Sequence, residues 1–262
     1  MMKIGFIGAG KMAEGILSAI PSKKGIVMAE KVDARRDEMA SKYGVETTSD
    51  AKVVIKKADI VFLAVRPQDV DSVAADLKGK IDRDVVLVSI VAGKTLAKLR
   101  KAFGPGPGLV RVMPNLALRA NAGMCAVCPA KGTDSKAVDE VMKILSNAGE
   151  AVILKERDFD AVTALSGSGP AYFAYMQQAM EEAGAKLGLK KNVARLLAAQ
   201  TMYGTSKFLK ESGAELSSFI AGVATKGGTT AAGMVELDKG GKFKAIVAKT
   251  LAAAAARSKA LA

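Results

Sequence analysis

A glycine-rich turn after a short apolar stretch constrains this chain more than any other sequence feature. Residues 4–7 are apolar and are predicted to form a buried strand. Gly8, Gly10 and Ala13 follow in the pattern G-x-G-x-x-A. In this pattern the first glycine makes the turn, the second admits a pyrophosphate, and the small third residue lets a helix pack on the strand. The pattern predicts a dinucleotide-binding turn, and a tight strand-to-helix turn without a nucleotide is the alternative.

Apolar stretches alternate with helical patterns through the first 154 residues. The run 58–65 is apolar apart from Asp59, as expected of a central parallel strand that is buried on both faces. Further strands are predicted at 25–29, 85–90, 109–113, 123–127 and 151–154. Helices are predicted from residue 12 onward and at 36–43, 70–77, 96–103 and 135–146. The alternation predicts a doubly wound parallel sheet, with one antiparallel edge allowed.

Strand patterns stop after Lys155, and only helical patterns follow. Helices are predicted at 161–164, 171–187, 193–210, 216–222, 229–238 and 243–260. The predicted fold class is therefore α/β, with a Rossmann-like dinucleotide-binding domain at 1–155 and an all-helical substrate and dimerisation domain at 156–262. Long apolar helices in so small a domain often complete their core with a second copy. We therefore expect a homodimer or a higher homo-oligomer.

Composition narrows the range of partners. The chain has 39 Lys and Arg against 26 Asp and Glu, for a net charge of +13, and the excess is spread over both halves. Aromatic residues make up only 5% and do not interleave with the basic pairs, so we expect no nucleic-acid partner. The diffuse positive charge suits anionic small molecules. No signal peptide or membrane-spanning stretch is predicted, and we expect a soluble, cytoplasmic protein.

The absence of histidine excludes several mechanisms. With no histidine in the chain, neither a Ser-His-Asp triad nor a histidine general acid is available. Cys125 and Cys128 form a single C-x-x-C, which is too few ligands for a zinc site. We predict two core thiols and no bound metal.

The choice between two nicotinamide cofactors stays open at this point. Glu30 ends the second predicted strand about 20 residues after the turn, where an acid accepts hydrogen bonds from the ribose of NAD. Lys31, Arg35 and Arg36 follow directly and are suited to the 2′-phosphate of NADP. A solvent-exposed strand end is the alternative role for Glu30. The expected cofactor is therefore NADPH or NADH.

Polar breaks at 65–68, 113–115, 166–170 and 224–230 are candidates to line a substrate pocket. In the last of these, Gly227 and Gly228 precede Thr229 and Thr230 at a predicted helix start. Amide groups there suit a carboxylate, and a threonine hydroxyl can donate and accept. A simple helix N-cap is the alternative for this stretch, and an interhelical turn is the alternative for 166–170.

The chain resembles the pyrroline-5-carboxylate reductase family, whose members catalyse the last step of proline biosynthesis. The segments that carry the resemblance run along the whole chain in matching order: GFIGAGKMAEGI, AVRPQ, SIVAG, RVMPN, ALSGSGPAYF and VATKGGTTAAGMVELD. Three departures occur. Lys226 replaces the usual proline before the paired glycines, Leu116-Ala117 replaces Thr-Pro, and Arg66 replaces a lysine.

The resemblance implies hydride transfer from a reduced nicotinamide to the C=N bond of 1-pyrroline-5-carboxylate, a cyclic imino acid, giving L-proline. A cyclic imine can arrive already protonated, which agrees with a chain that lacks histidine. Thr230 resembles the hydroxyl that hydrogen-bonds the ring nitrogen and is the implied catalytic residue. The implied substrate loop comprises Thr225, Lys226, Gly227, Gly228, Thr229 and Thr230. The candidate cofactor contacts are Gly8, Ala9, Gly10, Lys11, Met12, Glu30, Lys31, Ala64, Val65, Arg66, Pro67 and Asn115.

Two other functions remain as alternatives. The first is a β-hydroxyacid dehydrogenase or an imine reductase with another substrate. The dehydrogenases carry a catalytic lysine four residues after the second glycine of a Gly-x-Gly motif, and Phe173 occupies that position here. The second is a non-enzymatic nucleotide-binding protein, which the departures at Lys226 and Leu116-Ala117 would suit. Retention of Thr230 and the glycine pair argues against it.

Overall fold

The computed structural model of the chain describes residues 2–262 and contains an eight-stranded sheet. Its strands are β1 (Ile4–Ile7), β2 (Val27–Ala29), β3 (Glu46–Thr48), β4 (Ile60–Leu63), β5 (Val86–Ser89), β6 (Gly108–Pro114), β7 (Gly123–Pro129) and β8 (Gly149–Ile153). Their order across the sheet is β3-β2-β1-β4-β5-β6-β7-β8. The order reverses direction between β1 and β4, which is the place where sheets of this type bind ligands.

The first six strands are parallel, which confirms the doubly wound parallel sheet. β7 runs antiparallel to β6, and β8 runs parallel to β7, so two strands oppose the rest. We expected at most one antiparallel edge. The difference follows from the connection after β6, where only a 3₁₀ turn at Leu116–Ala120 separates two paired strands. Such a short link cannot hold a crossover helix, and it therefore returns the chain antiparallel.

Helices cover both faces of this sheet. They are α1 (Lys11–Ala19), α2 (Asp33–Tyr43), α3 (Ala51–Lys57), α4 (Val70–Leu77), α5 (Leu96–Phe103) and α6 (Ser135–Ser146). One core lies under α1, α2 and α6, and the rings of Phe6 and Phe62 stack there at 5.1 Å. The other core lies under α3, α4 and α5. Every residue of β1, β2, β4 and β5 is buried, as expected of strands covered on both sides.

Sequence patterns missed β3 and α3. β3 reads Glu-Thr-Thr over three residues at the sheet edge, with no buried side chain. α3 has seven residues and follows it after two. A short polar edge strand carries no apolar periodicity, and so it gives no signal in the sequence.

The part after β8 is helical, as predicted. Its helices are α7 (Phe159–Val162), α8 (Gly169–Lys186), α9 (Lys191–Ser212), α10 (Leu216–Val223), α11 (Thr229–Leu237) and α12 (Lys242–Leu261), with a π-helical turn at Thr163–Gly167. The chain divides into two compact units. The first, here called the sheet unit, comprises the residues up to Ser168 together with Ala254–Ala262. The second, the helical unit, comprises Gly169–Ala253.

The domain boundary predicted after Lys155 stays a prediction. The end of α12 belongs to the sheet unit although it follows the helical unit in the chain, and Ser258 makes one of the contacts that hold it there. This serine is buried, and its hydroxyl donates to the Asp160 carboxylate at 2.7 Å within the sheet unit. No helix within residues 2–262 is both long and apolar enough to span a bilayer.

Candidate active site

The turn after β1 requires glycine at its first position for reasons internal to the protein. Gly8 has φ +95°, and its N–H donates to the Ala29 carbonyl at 2.8 Å. A Cβ placed on Gly8 would lie 2.6 Å from the Ala64 carbonyl oxygen. The left-handed backbone and this close approach both exclude a side chain. Gly8 thus brings the ends of β1, β2 and β4 together.

Gly10 differs, because protein packing does not require a glycine there. A Cβ on Gly10 would meet no atom closer than the Ala64 carbonyl oxygen at 4.0 Å. Gly10 is the N-cap residue of α1, and no side chain caps this helix. The amide groups of Lys11 and Met12 in the first turn therefore have no intrahelical acceptor. Open space beside free amides is what a pyrophosphate requires, so the turn fits the predicted group.

A cleft of about 600 Å³ opens at this end of the sheet, beside the turn. It brings together Gly8, Gly10, Glu30, Lys31, Ala64, Val65 and Arg66 from the predicted cofactor set. Ala9 and Lys11 line an adjoining cavity of about 530 Å³, together with Gly10 and Glu30. Residues from three separate chain segments thus meet where the strand order reverses.

Three predicted contacts line neither cavity. Met12 is half-buried in α1, and Pro67 opens a 3₁₀ turn after β4. Asn115 instead joins two of the polar breaks. Its amide nitrogen lies 3.3 Å from the Ser166 carbonyl oxygen, and its amide oxygen accepts the Met124 N–H at 3.2 Å. This side chain therefore ties the end of β6 to the π-helical turn that precedes α8.

The Glu30 carboxylate is held by three backbone amides. One oxygen accepts the Ala9 N–H at 2.9 Å, and the other accepts the N–H groups of Lys31 and Val32 at 2.8 and 3.1 Å. This arrangement links the end of β2 to the glycine turn. Glu30 is more than a solvent-exposed strand end, because its carboxylate is built into the wall of the cleft.

The two arginines after β2 are occupied by other partners. Arg35 donates to the Ala9 carbonyl at 2.8 Å and forms ion pairs with Glu14 and Glu38 at 2.8 and 2.7 Å. Arg36 donates to the carbonyls of Glu30 and Lys31 at 2.8 and 3.0 Å and pairs with Asp33 at 2.7 Å. Both guanidinium groups thus brace the turn and the start of α2.

Glu14 is a residue of this region that sequence reasoning missed. It lies buried in the first half of α1, and its carboxylate meets Lys42, Arg35 and Tyr43 at 2.8 to 3.0 Å. Hydrogen bonds from Lys42 and Arg35 lower the pKa of the Glu14 carboxyl from 4.5 to about 2. A glutamate on the buried face of an amphipathic helix was the available signal, because such a residue needs cationic partners.

Arg66 lies at the rim of the cleft and is largely exposed. Its guanidinium pairs with Asp69 at 2.9 Å, one turn further along. The Asp69 carboxylate raises the pKa of Arg66. The pair keeps the arginine side chain close to the 3₁₀ turn that begins at Pro67.

The Cys-x-x-Cys lies in β7, and both cysteines are buried and free. Burial raises the pKa of the Cys125 thiol to about 12. Burial also raises the pKa of Cys128. Such thiols are unreactive at neutral pH. Within residues 2–262 no group of three or more acidic, cysteine or histidine side chains is placed to hold a metal ion.

The threonine-glycine loop lies in the helical unit, between α10 and α11. Gly227 has φ +77°, and the Gly228 N–H donates to the Thr225 carbonyl at 2.9 Å. Gly228 is the N-cap residue of α11, and no side chain caps that helix. The hydroxyls of Thr229 and Thr230 make no hydrogen bond within the described residues. The loop therefore presents free amides and free hydroxyls together, with Lys226 exposed beside them.

The sequence is similar to reductases from distant organisms over nearly its whole length. The pyrroline-5-carboxylate reductase of Synechocystis sp. is 36% identical over 265 residues, which cover 99% of this chain and 98% of the relative. The chain belongs to the pyrroline-5-carboxylate reductase family. This confirms the family that the motifs predict.

Solved structures of the pyrroline-5-carboxylate reductase family superpose on the whole chain. The enzyme from Coxiella burnetii matches with a TM-score of 0.93 at 29% identity, covering 100% of this chain and 98% of that one. The Plasmodium falciparum pyrroline carboxylate reductase, solved with NADP bound, matches with a TM-score of 0.83 at 28% identity, covering 99% and 98%. The fold described above is therefore that of the reductase family.

Two family models match separate parts of this reductase. The model described as pyrroline-5-carboxylate reductase dimerisation matches residues 156–261. The model described as NADP oxidoreductase coenzyme F420-dependent matches residues 3–93. The C-terminal part of the chain thus matches the dimerisation domain of the family, and the N-terminal part matches a model of NADP-dependent oxidoreductases.

Three of the four residues that depart from the family pattern, Arg66, Leu116 and Lys226, are exposed, and Ala117 is half-buried. Lys226 is exposed in the loop before Gly227, and Leu116 is 54% exposed at the start of the 3₁₀ turn after β6. Neither residue contributes to a core cluster. These substitutions therefore lie on the surface of the chain and outside its core clusters.

Proposed function

We propose that this chain reduces 1-pyrroline-5-carboxylate to L-proline with NADH or NADPH. The observation that carries the proposal is full-length similarity to reductases of that name, joined with an open glycine turn and a free threonine-glycine loop. The reduced nicotinamide supplies the hydride when it is bound. The protein's own residues bind and orient the two reactants.

Cofactor binding is assigned to the cleft of the sheet unit. The amides from Gly10 to Met12 at the start of α1 would hold the pyrophosphate, with Ala9 lining the site, and Glu30 would meet the adenosine ribose. Ala64, Val65, Arg66, Pro67 and Asn115 belong to the nicotinamide side of the proposed site. The space left open at Gly10 supports this assignment.

Substrate binding is assigned to the loop from Thr225 to Thr230. Free amides at the start of α11 suit the substrate carboxylate, because the helix dipole favours an anion there. The exposed ammonium of Lys226 adds positive charge beside them. The Thr230 hydroxyl, which has no partner in the described chain, would hydrogen-bond the ring nitrogen and orient the imine for hydride transfer.

We further infer that the protein assembles as a homodimer or a higher homo-oligomer through the helical unit. Only Ala194 and Ala198 of its apolar side chains are buried, whereas Tyr175, Leu187, Leu196 and Val235 are at least 66% exposed. Apolar surface on this scale is a mark of an interface. The match of residues 156–261 to the family model for dimerisation supports an interface in the same part of the chain.

A cytoplasmic location, and the absence of nucleic-acid and membrane partners, complete the proposal. Two free, buried cysteines suit a reducing compartment. The proposed partners are a small cyclic imino acid and a second copy of the chain.

The experiment that tests the function is oxidation of NADH or NADPH driven by pyrroline-5-carboxylate, followed by the loss of nicotinamide absorbance. Proline should form in equal amount. If the dinucleotide is oxidised no faster with the imino acid than without it, the proposed function is wrong.

Gly10→Val tests the cofactor assignment directly. The valine side chain would project into the space beside the free amides, and the nearest atom of another segment to its Cβ is the Ala64 carbonyl oxygen at 4.0 Å. We expect dinucleotide binding to be lost and the melting temperature to stay near that of wild type. Gly10→Ala, with one methyl group, should give an intermediate affinity. Wild-type affinity in the valine variant would refute the assignment.

A further inference from the structure

The Glu30 carboxylate has little acceptor capacity left, and what remains is well placed for a hydroxyl. Its two oxygens offer about four acceptor positions. Three of them are taken by the amides of Ala9, Lys31 and Val32. One position remains, on the oxygen that faces the Ala9 amide. A ribose hydroxyl can donate to that position, whereas a phosphate oxygen cannot.

Neither arginine that follows β2 is free to bind a phosphate. Arg35 is held by the Ala9 carbonyl and by the carboxylates of Glu14 and Glu38, at 2.7 to 2.8 Å. Arg36 is held by two carbonyls and by Asp33. Releasing either guanidinium would break several charge-assisted hydrogen bonds, and releasing Arg35 would also break its ion pair with the buried Glu14.

The cleft itself has more negative than positive side chains. Four carboxylates line it, against two cations: Glu30, Asp50, Asp69 and Asp76 against Lys31 and Arg66. Arg66 is already paired with Asp69. Lys31 is therefore the one cation of this lining without an ion pair in the described chain. Within this cleft a 2′-phosphate would bring further negative charge beside Glu30, with Lys31 as the one unpaired cation in the described chain. The adjoining cavity, which Glu30 lines together with Glu14 and Glu38, adds the side chains of Lys11 and Arg119.

We propose that this cleft selects NADH over NADPH, and that Glu14 contributes to the selection by holding Arg35 away from a 2′-phosphate. The inference rests on the proposed reductase function. Glu30 distinguishes the two dinucleotides by direct contact with the ribose. Glu14 acts as a positioning residue, because it touches Arg35 rather than the ribose.

Direct binding to the intact protein tests the selection without catalysis. NADH and NADPH are titrated separately in the absence of substrate, with nicotinamide fluorescence or calorimetry as the readout. We expect NADH to bind about tenfold more tightly, the scale of one like-charge contact near a protein surface. Equal or tighter binding of NADPH would overturn the selection, while substrate-driven oxidation of NADPH would still support the reductase function. If neither dinucleotide binds, both proposals are wrong.

Three Glu→Gln variants locate the selecting residues. Glu30→Gln should shift the ratio of the two dissociation constants towards NADPH by about tenfold, by removing the charge next to the ribose. Glu14→Gln should shift it in the same direction by about threefold, by loosening Arg35. Glu46→Gln is the matched control, because Glu46 pairs with Lys57 and lines neither cavity. Its ratio should equal that of wild type.

Melting temperatures accompany each titration, so that a folding defect is recognised. Glu30→Ser provides a second variant if glutamine disturbs the turn, and the same shift towards NADPH is expected. A folded Glu14→Gln variant with the wild-type ratio would overturn the role of Glu14. An unchanged ratio in both Glu30 variants would overturn the role of Glu30.

Discussion

The two units of this chain fill their interiors to very different degrees. The sheet unit buries all of β1, β2, β4 and β5, and its largest aromatic side chains are completely enclosed. In the helical unit the only buried apolar side chains are those of Ala194 and Ala198 in α9. Parallel strands become buried through their own crossover helices. The helices after Ser168 instead present apolar faces that the same chain does not cover.

The candidate site groups of the two units also differ in how many hydrogen bonds the protein itself makes to them. Glu30 and Asn115 are held in the sheet unit by hydrogen bonds to backbone and side-chain groups. The hydroxyls of Thr229 and Thr230 have no partner in the described chain, and no side chain caps α11. The sheet unit thus holds its candidate site groups by internal hydrogen bonds, whereas the helical unit leaves the two candidate hydroxyls without a partner in the described chain. Substitutions of packed or hydrogen-bonded residues in the first unit should affect stability, and substitutions of the free groups in the second should affect activity or assembly.

The largest expected effect is on the interior of the sheet unit. Phe62 is fully buried and stacks on Phe6. Phe62→Ala should lower the free energy of unfolding by about 3–5 kcal/mol through lost burial and a cavity. Denaturant titration measures this loss, which should appear at low and high protein concentration alike. A loss below 1 kcal/mol would contradict a closely packed sheet core.

A smaller effect is expected from the ionised Glu14 carboxyl, whose pKa is lowered from 4.5 to about 2. A lowered pKa in the folded state stabilises the fold above pH 4.5, and the stabilisation is lost as the pH falls towards 2. Glu14→Gln should therefore cost about 2–3 kcal/mol at neutral pH. The difference from wild type should shrink below pH 4.5 and vanish near pH 2.

Unfolding free energies measured across this pH range check the Glu14 effect. The exposed pair of Glu46 and Lys57 provides the control, since Glu46→Gln should cost less than about 1 kcal/mol at any pH. A Glu14→Gln difference that does not change between pH 7 and pH 3 would show that charge is not its cause.

Thr230 tests the helical unit, where chemistry rather than stability should change. Loss of one neutral hydrogen bond costs about 1–3 kcal/mol, or roughly tenfold to a hundredfold in rate. Thr230→Ala should lower kcat/KM for pyrroline-5-carboxylate by that range, with cofactor affinity and melting temperature near wild type. Thr230→Ser keeps the hydroxyl and should recover most of the activity. Full activity in the alanine variant would remove Thr230 from the site.

Substitutions on the exposed face of α9 should have the smallest effect on the stability of a single chain. Leu196 and Tyr203 are 67% and 61% exposed and lie seven residues apart, on one side of the helix. Changing both to Glu should leave the helical content unchanged and convert the assembly to monomers, as measured by light scattering at micromolar concentration. Val32→Glu is the control, since Val32 is 59% exposed in the sheet unit. An unchanged assembly in the double variant would place the interface elsewhere.

Local sequence patterns determined much of this molecule. The turn from Gly8 to Ala13, the helices at 96–103 and 135–146, and the change to helices after Lys155 were all predictable, because each depends on residues close in sequence. The family follows from motifs of the same local kind. The proposed roles of the threonine-glycine loop also come from such a motif and stay predictions.

Only the tertiary structure decided which distant groups meet. Arg35 and Arg36 suited a phosphate in sequence, but folding brings Arg35 to Glu14, 21 residues away, and turns Arg36 towards backbone carbonyls. The reversed direction of β7 and the three-residue strand β3 likewise depend on pairing with other strands. Periodicity records which face of an element is buried, whereas the identity of its neighbours depends on chain topology. Charge pairing across the fold is therefore not determined by local sequence.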